Sequence, residues 1–284
     1  MSAAQPPFHV AAFYRFAPLA DPPALAARLR VHGAETGMAG SIILAEEGVN
    51  GTVSGTPAAV KGLMALLRAQ PGFADLAPRL HRAAALPFAR WKVKVKPEIV
   101  TMGVADVHAA DAGTHVAPAD WNALIADPDT IVIDARNDYE VALGAFAGAL
   151  DPGTRRFGDF PAWFDAQAEA WRAAGHAPRI AMYCTGGIRC EKSTAYARAR
   201  GFDAVYHLRG GILAYLAEIE ADESLWRGEC FLFDARMGIG HGERTRAFPL
   251  CPRCGQPQPP SVEACPRCGG AGEAGRVLPV GAGR

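Results

Sequence analysis

From Phe8 to about Ile99 the apolar positions alternate between short strand-length runs and two stretches with helical spacing. Phe8 to Phe16 reads as a strand. Asp21-Pro22-Pro23 opens a helix, with Asp21 as its cap and the prolines in the first turn. Ser41 to Ala45 and Gly51 to Ser54 read as two short strands around the turn Gly48-Val49-Asn50-Gly51. Thr56-Pro57 starts a second helix that reaches about Ala69 and ends before Pro71-Gly72, and Arg90 to Lys96 closes the unit as a last strand. Small residues then run from about Asp106 to Val116. Beyond them Ile131 to Asp134, Arg179 to Tyr183 and Ala204 to Leu208 are buried-type strands with helical stretches between.

These orders predict an α/β chain. Strand, helix, strand, strand, helix, strand over residues 1–105 is the order of a ferredoxin-like α+β unit, here with a basic last strand. Residues 106–116 are expected as a linker, and residues 117–228 as a domain with a parallel sheet covered on both faces. Residues 229–284 form a C-terminal extension in which glycine, proline and cysteine dominate after one more strand at Cys230 to Asp234. Gly269 to Arg284 is expected to be disordered.

Composition narrows the function classes. The 29 basic and 29 acidic residues cancel, so any nucleic-acid site must come from a local patch. Seven cysteines, four of them in Cys-x-x-Cys pairs, fit a reducing compartment better than a secreted disulfide framework. Met1 to Pro7 lacks the basic and apolar regions of a leader, and no apolar stretch approaches membrane-spanning length. A cytoplasmic protein with no membrane partner is expected; oligomeric state leaves no signal.

One segment joins a nucleophile, a glycine-bearing loop and a helix start: Cys184-Thr185-Gly186-Gly187-Ile188-Arg189. Backbone N–H groups at a strand-to-helix turn converge on one point, and the helix dipole adds positive charge, so a thiolate or persulfide is stabilised there. The spacing Cys-x4-Arg makes a smaller cradle than the Cys-x5-Arg of phosphatases. It favours persulfide or thiolate chemistry over phosphate-ester hydrolysis. Arg189 either holds an anionic intermediate or closes the loop on Asp134 or Glu140, and Asp134, ending a buried strand, is expected to order the loop. Cys190 is a candidate second, resolving thiol or a packing residue.

Cys251-Pro252-Arg253-Cys254-Gly255 and Cys265-Pro266-Arg267-Cys268-Gly269 are near-copies. Two such knuckles complete a closed four-cysteine site, the arrangement of structural zinc. Gly238 to Gly242 resembles part of a nucleotide-binding loop, but no helix pattern follows, so no nucleotide or flavin motif is assigned. His108, Asp111 and His115 have the donor types of an iron facial triad but sit in a small-residue linker, and no iron site is assigned. Between Asp75 and Glu98 the chain is basic without an acid, and Lys92, Lys94 and Lys96, following Arg90, alternate onto one strand face. Such a row can follow a phosphate backbone or protect a sheet edge.

Asp134-Ala135-Arg136-Asn137-Asp138-Tyr139-Glu140, the Cys184 loop and Leu208-Arg209-Gly210-Gly211-Ile212 together resemble the three-part signature of a rhodanese domain. Ile43 to Thr52, Trp91 to Val100 and Tyr183 to Lys192 are similar to the rhodanese-domain tRNA uridine hydroxylases. The resemblance covers about residues 8 to 255. It implies 5-hydroxyuridine formation at the tRNA wobble position with molecular oxygen as co-substrate, Cys184 as the active-site cysteine, and the anticodon arm of tRNA on the basic strand. The competing readings are a sulfurtransferase working through a Cys184 persulfide and a scaffold that binds RNA without catalysis, against which the intact loop argues.

Overall fold

The computed structural model describes residues 7–258 together with 264, 265, 268 and 269, and the chain divides into two compact units at Thr101 and Met102. The first unit runs β1 (Phe8–Phe16), α1 (Pro22–Glu35), β2 (Ala39–Ala45), β3 (Gly48–Gly55), α2 (Pro57–Arg68), β4 (Arg79–Ala83) and β5 (Trp91–Val95). Both helices start as their sequences suggest. Asp21 accepts the Ala24 N–H at 2.8 Å and Thr56 accepts the Ala59 N–H at 3.2 Å, each with proline in the first turn.

The hairpin differs from expectation. Glu46 and Glu47 make the turn, and Gly48 to Gly51 lie inside β3. Gly48 is needed for close approach: its φ is 147°, and a Cβ there would lie 2.0 Å from the Arg15 carbonyl of β1. A further strand, β4, also escaped the pattern. Its sequence Arg-Leu-His-Arg-Ala carries one large apolar residue, and that one, Leu80, is 48% exposed.

The sheet order is β4-β1-β3-β2-β5, so β4 takes the fourth ferredoxin-like position and the basic strand is a fifth, parallel to β2 at the opposite edge. Ala11, Phe13, Ile42, Leu44, Val53 and Val93 pack with Leu25, Leu29, Val60, Leu63 and Leu67 of the two helices. Alternate residues therefore point to the helix-free face. Register places Arg79, Ala12, Thr52, Ser41 and Lys92 in one row across that face, and Tyr14, Asn50, Ile43 and Lys94 in the next. The basic stretch thus divides between both sheet edges, with Arg79, Lys92 and Lys94 on one face.

The second unit comprises β6 (Thr114–Val116), α3 (Pro118–Ala126), β7 (Thr130–Asp134), α4 (Asp138–Val141), β8 (Gly144–Phe146), α5 (Phe160–Ala173), β9 (Arg179–Tyr183), α6 (Ile188–Ala199), β10 (Val205–Leu208) and α7 (Gly211–Glu218), followed by β11 (Trp226–Gly228), β12 (Cys230–Phe231), β13 (Gly238–Ile239) and β14 (Thr245–Arg246). Its main sheet, β6-β10-β9-β7, is parallel throughout. Residues 106–116, expected as a linker, instead supply β6: Thr114 to Val116 pair with Tyr206 to Leu208. The core gathers Trp121, Phe146, Tyr183, Tyr215 and Trp226 and continues past residue 228 through Cys230, Leu232 and Ile239. Burial pushes the Cys230 thiol up to about 12, so it stays protonated. The expected strand there spans only Cys230 and Phe231. Of the stretch from Gly269 expected to be disordered, Gly269 itself is held in a turn by its N–H to the Cys265 carbonyl at 2.8 Å, and 270–284 lie outside the described residues, as do residues 1–6 of the N-terminal reading. No described helix is long and apolar enough to cross a membrane.

Candidate active site

Cys184 follows the carboxyl end of β9, where parallel sheets place their sites. Gly187 caps α6 with φ 99°, a left-handed turn that suits glycine, and its N–H donates to Cys184 Sγ at 3.1 Å. The loop is braced from below by the Gly210-Gly211 turn: the Ile212 N–H reaches the Cys184 carbonyl at 3.0 Å and the Leu213 N–H reaches that of Thr185 at 3.1 Å. Gly211 has φ 64°, and a Cβ there would lie 2.4 Å from the Cys184 carbonyl oxygen. Glycine is therefore required for the third motif to touch the Cys184 loop.

Cys184 is fully buried, which by itself would raise its pKa. Hydrogen bonding from the Cys190 side chain, the Arg189 charge and the backbone N–H groups of Cys190 and Arg189 win, and the pKa falls to about 6. Cys190 shifts the other way. Burial and the neighbouring Cys184 sulfur hold its thiol well above the usual range, so it is a protonated donor toward the thiolate.

Behind the loop lies a network of buried charges. Arg189 Nη1 and Nη2 donate to Glu140 Oε2 and Oε1 at 2.6 and 2.7 Å, and Thr185 Oγ1 donates to Glu140 Oε1 at 3.2 Å. Burial alone would raise the Glu140 pKa, but Arg189, Arg136 and the Asn137 N–H hold it below the usual carboxylate range. Asp134 does not reach Arg189 through a hydrogen bond; it binds Arg136, through Nε at 2.9 Å and Nη2 at 2.6 Å. Arg136 also donates to the carbonyls of Glu140 and Gly144 and lies against the Tyr183 and Trp226 rings. Sequence reasoning named Glu140 as an alternative partner and gave Arg136 no role. Its place two residues after a strand-ending aspartate was the available signal.

The two cysteine knuckles converge. Cys251 Sγ lies 3.6 Å from Cys268 Sγ, Cys254 Sγ lies 3.6 Å from Cys265 Sγ, and all four sulfurs lie within 4.8 Å of one another. Four sulfurs about 2.3 Å from a tetrahedral ion would be about 3.8 Å apart, so the set fits a metal. Each knuckle repeats one turn: Gly255 and Gly269, both left-handed, donate to the Cys251 and Cys265 carbonyls at 2.8 Å. Arg90, Lys92, Lys94 and Lys96 are all exposed in the first unit. Of the discounted iron triad, His115 faces Glu191 and His207 rather than His108 or Asp111.

Residues 8–99 match the UPF0176 acylphosphatase like domain, and residues 117–218 match the rhodanese-like domain. The chain is 51% identical over 262 residues to the tRNA uridine(34) hydroxylase of Caulobacter vibrioides (strain NA1000 / CB15N), an alignment covering 91% of this chain and 83% of that one. Identity to the enzyme of that name from Gluconobacter oxydans (strain 621H) is 51% over 261 residues, covering 92% and 83%. With the one from Rhizobium etli (strain ATCC 51251 / DSM 11541 / JCM 21823 / NBRC 15573 / CFN 42) it is 52% over 252 residues, covering 88% and 80%. The chain belongs to the tRNA uridine(34) hydroxylase family. The alignments to this family span both units, so the helix-free basic face and the Cys184 loop lie within one family chain.

Proposed function

We propose that this protein hydroxylates uridine 34, the wobble base of tRNA, to 5-hydroxyuridine, with Cys184 as its catalytic residue and molecular oxygen as co-substrate. The observation that carries the reading is a thiolate-forming cysteine, its pKa near 6, in a chain related over most of its length to enzymes of that name. Thr185, Gly186, Gly187 and Ile188 shape the N–H cradle, while Arg189 and Asp134 hold it through Glu140 and Arg136. A wobble base already lies in a single-stranded loop, so presenting it costs little unstacking. Addition of the Cys184 thiolate to the C6 ring carbon would open the C5–C6 double bond and place electron density on C5 for attack on oxygen. Loss of the C5 proton and of the thiolate restores the double bond, and the second oxygen atom leaves as water with two electrons from an external thiol reductant.

The tRNA anticodon arm is assigned to the helix-free face of the first unit, where Lys92 and Lys94 share rows with Arg79 and polar Thr52, Ser41 and Asn50, and Arg90 and Lys96 flank them. Cys251, Cys254, Cys265 and Cys268 would hold structural zinc; four thiolates close its coordination and leave no position for substrate. A cytoplasmic setting follows from a tRNA substrate and thiols kept reduced. Nucleoside mass spectrometry of tRNA incubated with the purified protein and air tests the reading: a gain of one oxygen on uridine 34 is expected. No gain, with sulfane sulfur passed instead from Cys184 to an acceptor thiol, would favour the sulfurtransferase.

A further inference from the structure

Helix α6 is unusual in burying charge along its length: Arg189, Glu191 and Lys192 are all less than 10% exposed. Arg189 belongs to the Cys184 site. Glu191 faces the other way, toward two histidines. His115 on β6 and His207 on β10 are register partners on adjacent parallel strands, so their rings emerge side by side on one sheet face, with centroids 4.0 Å apart. Glu191 reaches down onto both. His115 Nε2 lies 3.1 Å from Glu191 Oε1, and His207 Nε2 lies 4.0 Å from Glu191 Oε2. One donor atom from each of the three falls within 4.8 Å of the others.

The buried histidine is the telling member. His207 is fully buried; its ring interacts with the Gly113 backbone, but neither nitrogen makes a hydrogen bond of ordinary geometry among the described residues. Buried polar atoms are almost always satisfied, so a buried imidazole whose only protein contacts are a loose one to the Gly113 backbone and a 4.0 Å approach to Glu191 has room for a further ligand. Two imidazoles beside one carboxylate are a donor set that suits a borderline-soft transition metal, whereas hard cations prefer all-oxygen sites. Bond lengths of about 2.0 to 2.2 Å for imidazole and carboxylate donors require the three atoms to sit about 3 Å apart. The His115 contact already has that separation, His207 Nε2 stands 4.0 Å from the other Glu191 oxygen, and no donor pair exceeds 4.8 Å, so a bound ion would draw the set together. The frame is also fixed, because the Gly113 N–H donates to Thr194 Oγ1 at 2.9 Å and ties the start of β6 to α6.

We propose that His115, Glu191 and His207 form a binding site for a divalent first-row transition-metal cation, separate from the four-cysteine cluster and from the Cys184 loop. Two neutral imidazoles and one carboxylate leave coordination positions open. His115 has a side chain 45% exposed, so the open side faces solvent and an ion has a way in. The same three residues span β6, β10 and α6, so a bound ion would also clamp the helix whose first turn holds the thiolate.

Cobalt(II) is the probe. Full-length protein carrying zinc on its cysteines is titrated with cobalt(II) and read by equilibrium dialysis and visible absorption. One cobalt per chain beyond the zinc is expected, with weak d–d bands and no thiolate charge-transfer band. His115→Ala, at an exposed position that leaves the core untouched, should weaken binding by at least about tenfold, and Glu191→Gln likewise. Cys184→Ser should bind cobalt as the unchanged protein does. No retained cobalt, a thiolate charge-transfer band, loss of binding in Cys184→Ser, or unchanged binding in His115→Ala would each overturn the site.

Discussion

Arg189 and Glu140 form a buried, two-pronged ion pair, 2.6 and 2.7 Å long, directly behind the Cys184 loop. The guanidinium therefore uses its hydrogen bonds to close the loop, and its further donor contact, to Thr185 Oγ1 at 3.3 Å, stays within the same loop. It acts on Cys184 as a fixed, partly neutralised charge. Replacing Glu140 by Gln removes the neutralising partner while keeping the shape. Breaking a buried pair this way should cost about 3 kcal/mol of stability, measured by urea unfolding. It should also lower the Cys184 pKa further, because Arg189 is then uncompensated. A midpoint of iodoacetamide alkylation that rises in Glu140→Gln would contradict this role for the carboxylate.

The Cys184 thiol has a folded pKa of about 6 against an ordinary value of 9.0. A depressed acid stabilises the native state fully above its unfolded pKa and loses that contribution as pH falls through the folded one. The protein should therefore lose stability from about pH 9 down to about pH 6 on account of this group. Cys184→Ser should abolish hydroxylation and flatten that part of the stability profile relative to the unchanged protein. Parallel profiles for the two proteins would mean that folding does not depress the pKa of this thiol.

Cys190 separates two mechanisms by two substitutions. Serine keeps a donor toward the thiolate but cannot form a disulfide; alanine loses both. If Cys190 acts as a donor, Cys190→Ser should hold the alkylation midpoint near that of the unchanged protein, and Cys190→Ala should raise it. Equal loss of hydroxylation in both, with an unshifted midpoint, would instead mark Cys190 as a resolving thiol.

Much of this site was readable because its parts are consecutive: the Cys184 loop is six residues long, and the knuckles announce themselves as repeats. What joins distant segments was not. Glu140 lies 49 residues from Arg189, and Asp134 and Glu140 were both plausible partners until geometry gave Asp134 to Arg136. The fold was legible where apolar residues alternate. It was not at β4, whose outward residues are basic on an edge strand, nor at β6, whose three residues are too few to carry a period and so read as linker. The hairpin turn was misplaced because Gly48 and Gly51 signal close packing there, not a turn.

The cysteine knuckles should hold one zinc per chain, detectable by elemental analysis. Cys254→Ser should lower the zinc content while leaving the Cys184 alkylation midpoint unchanged, since the loop is held by β9, the Gly211 turn and the Glu140 pair, none of which includes a knuckle residue. A midpoint that moves with zinc loss would show that the extension supports the loop directly.

The helix-free face of the first unit supplies the last test. Lys92 and Lys94 extend from β5 onto the face that also carries Arg79 from the opposite edge. If tRNA phosphates lie along it, Lys92→Gln, Lys94→Gln and Lys96→Gln combined should weaken tRNA binding most at low salt. For every phosphate that a lysine no longer neutralises, the slope of log affinity against log salt should fall by about 0.7 to 0.9. Arg79→Gln, on a different strand but the same face, should add a further step of similar size, whereas Arg82→Gln, which points to the helix side, should add little. Edge protection by lysines predicts the reverse pattern: tRNA affinity unchanged at every salt concentration, and self-association of the triple variant once the charged strand β5 no longer repels a second sheet. The fold itself should survive the triple change, because Trp91 and Val93, not the lysines, pack against the helices.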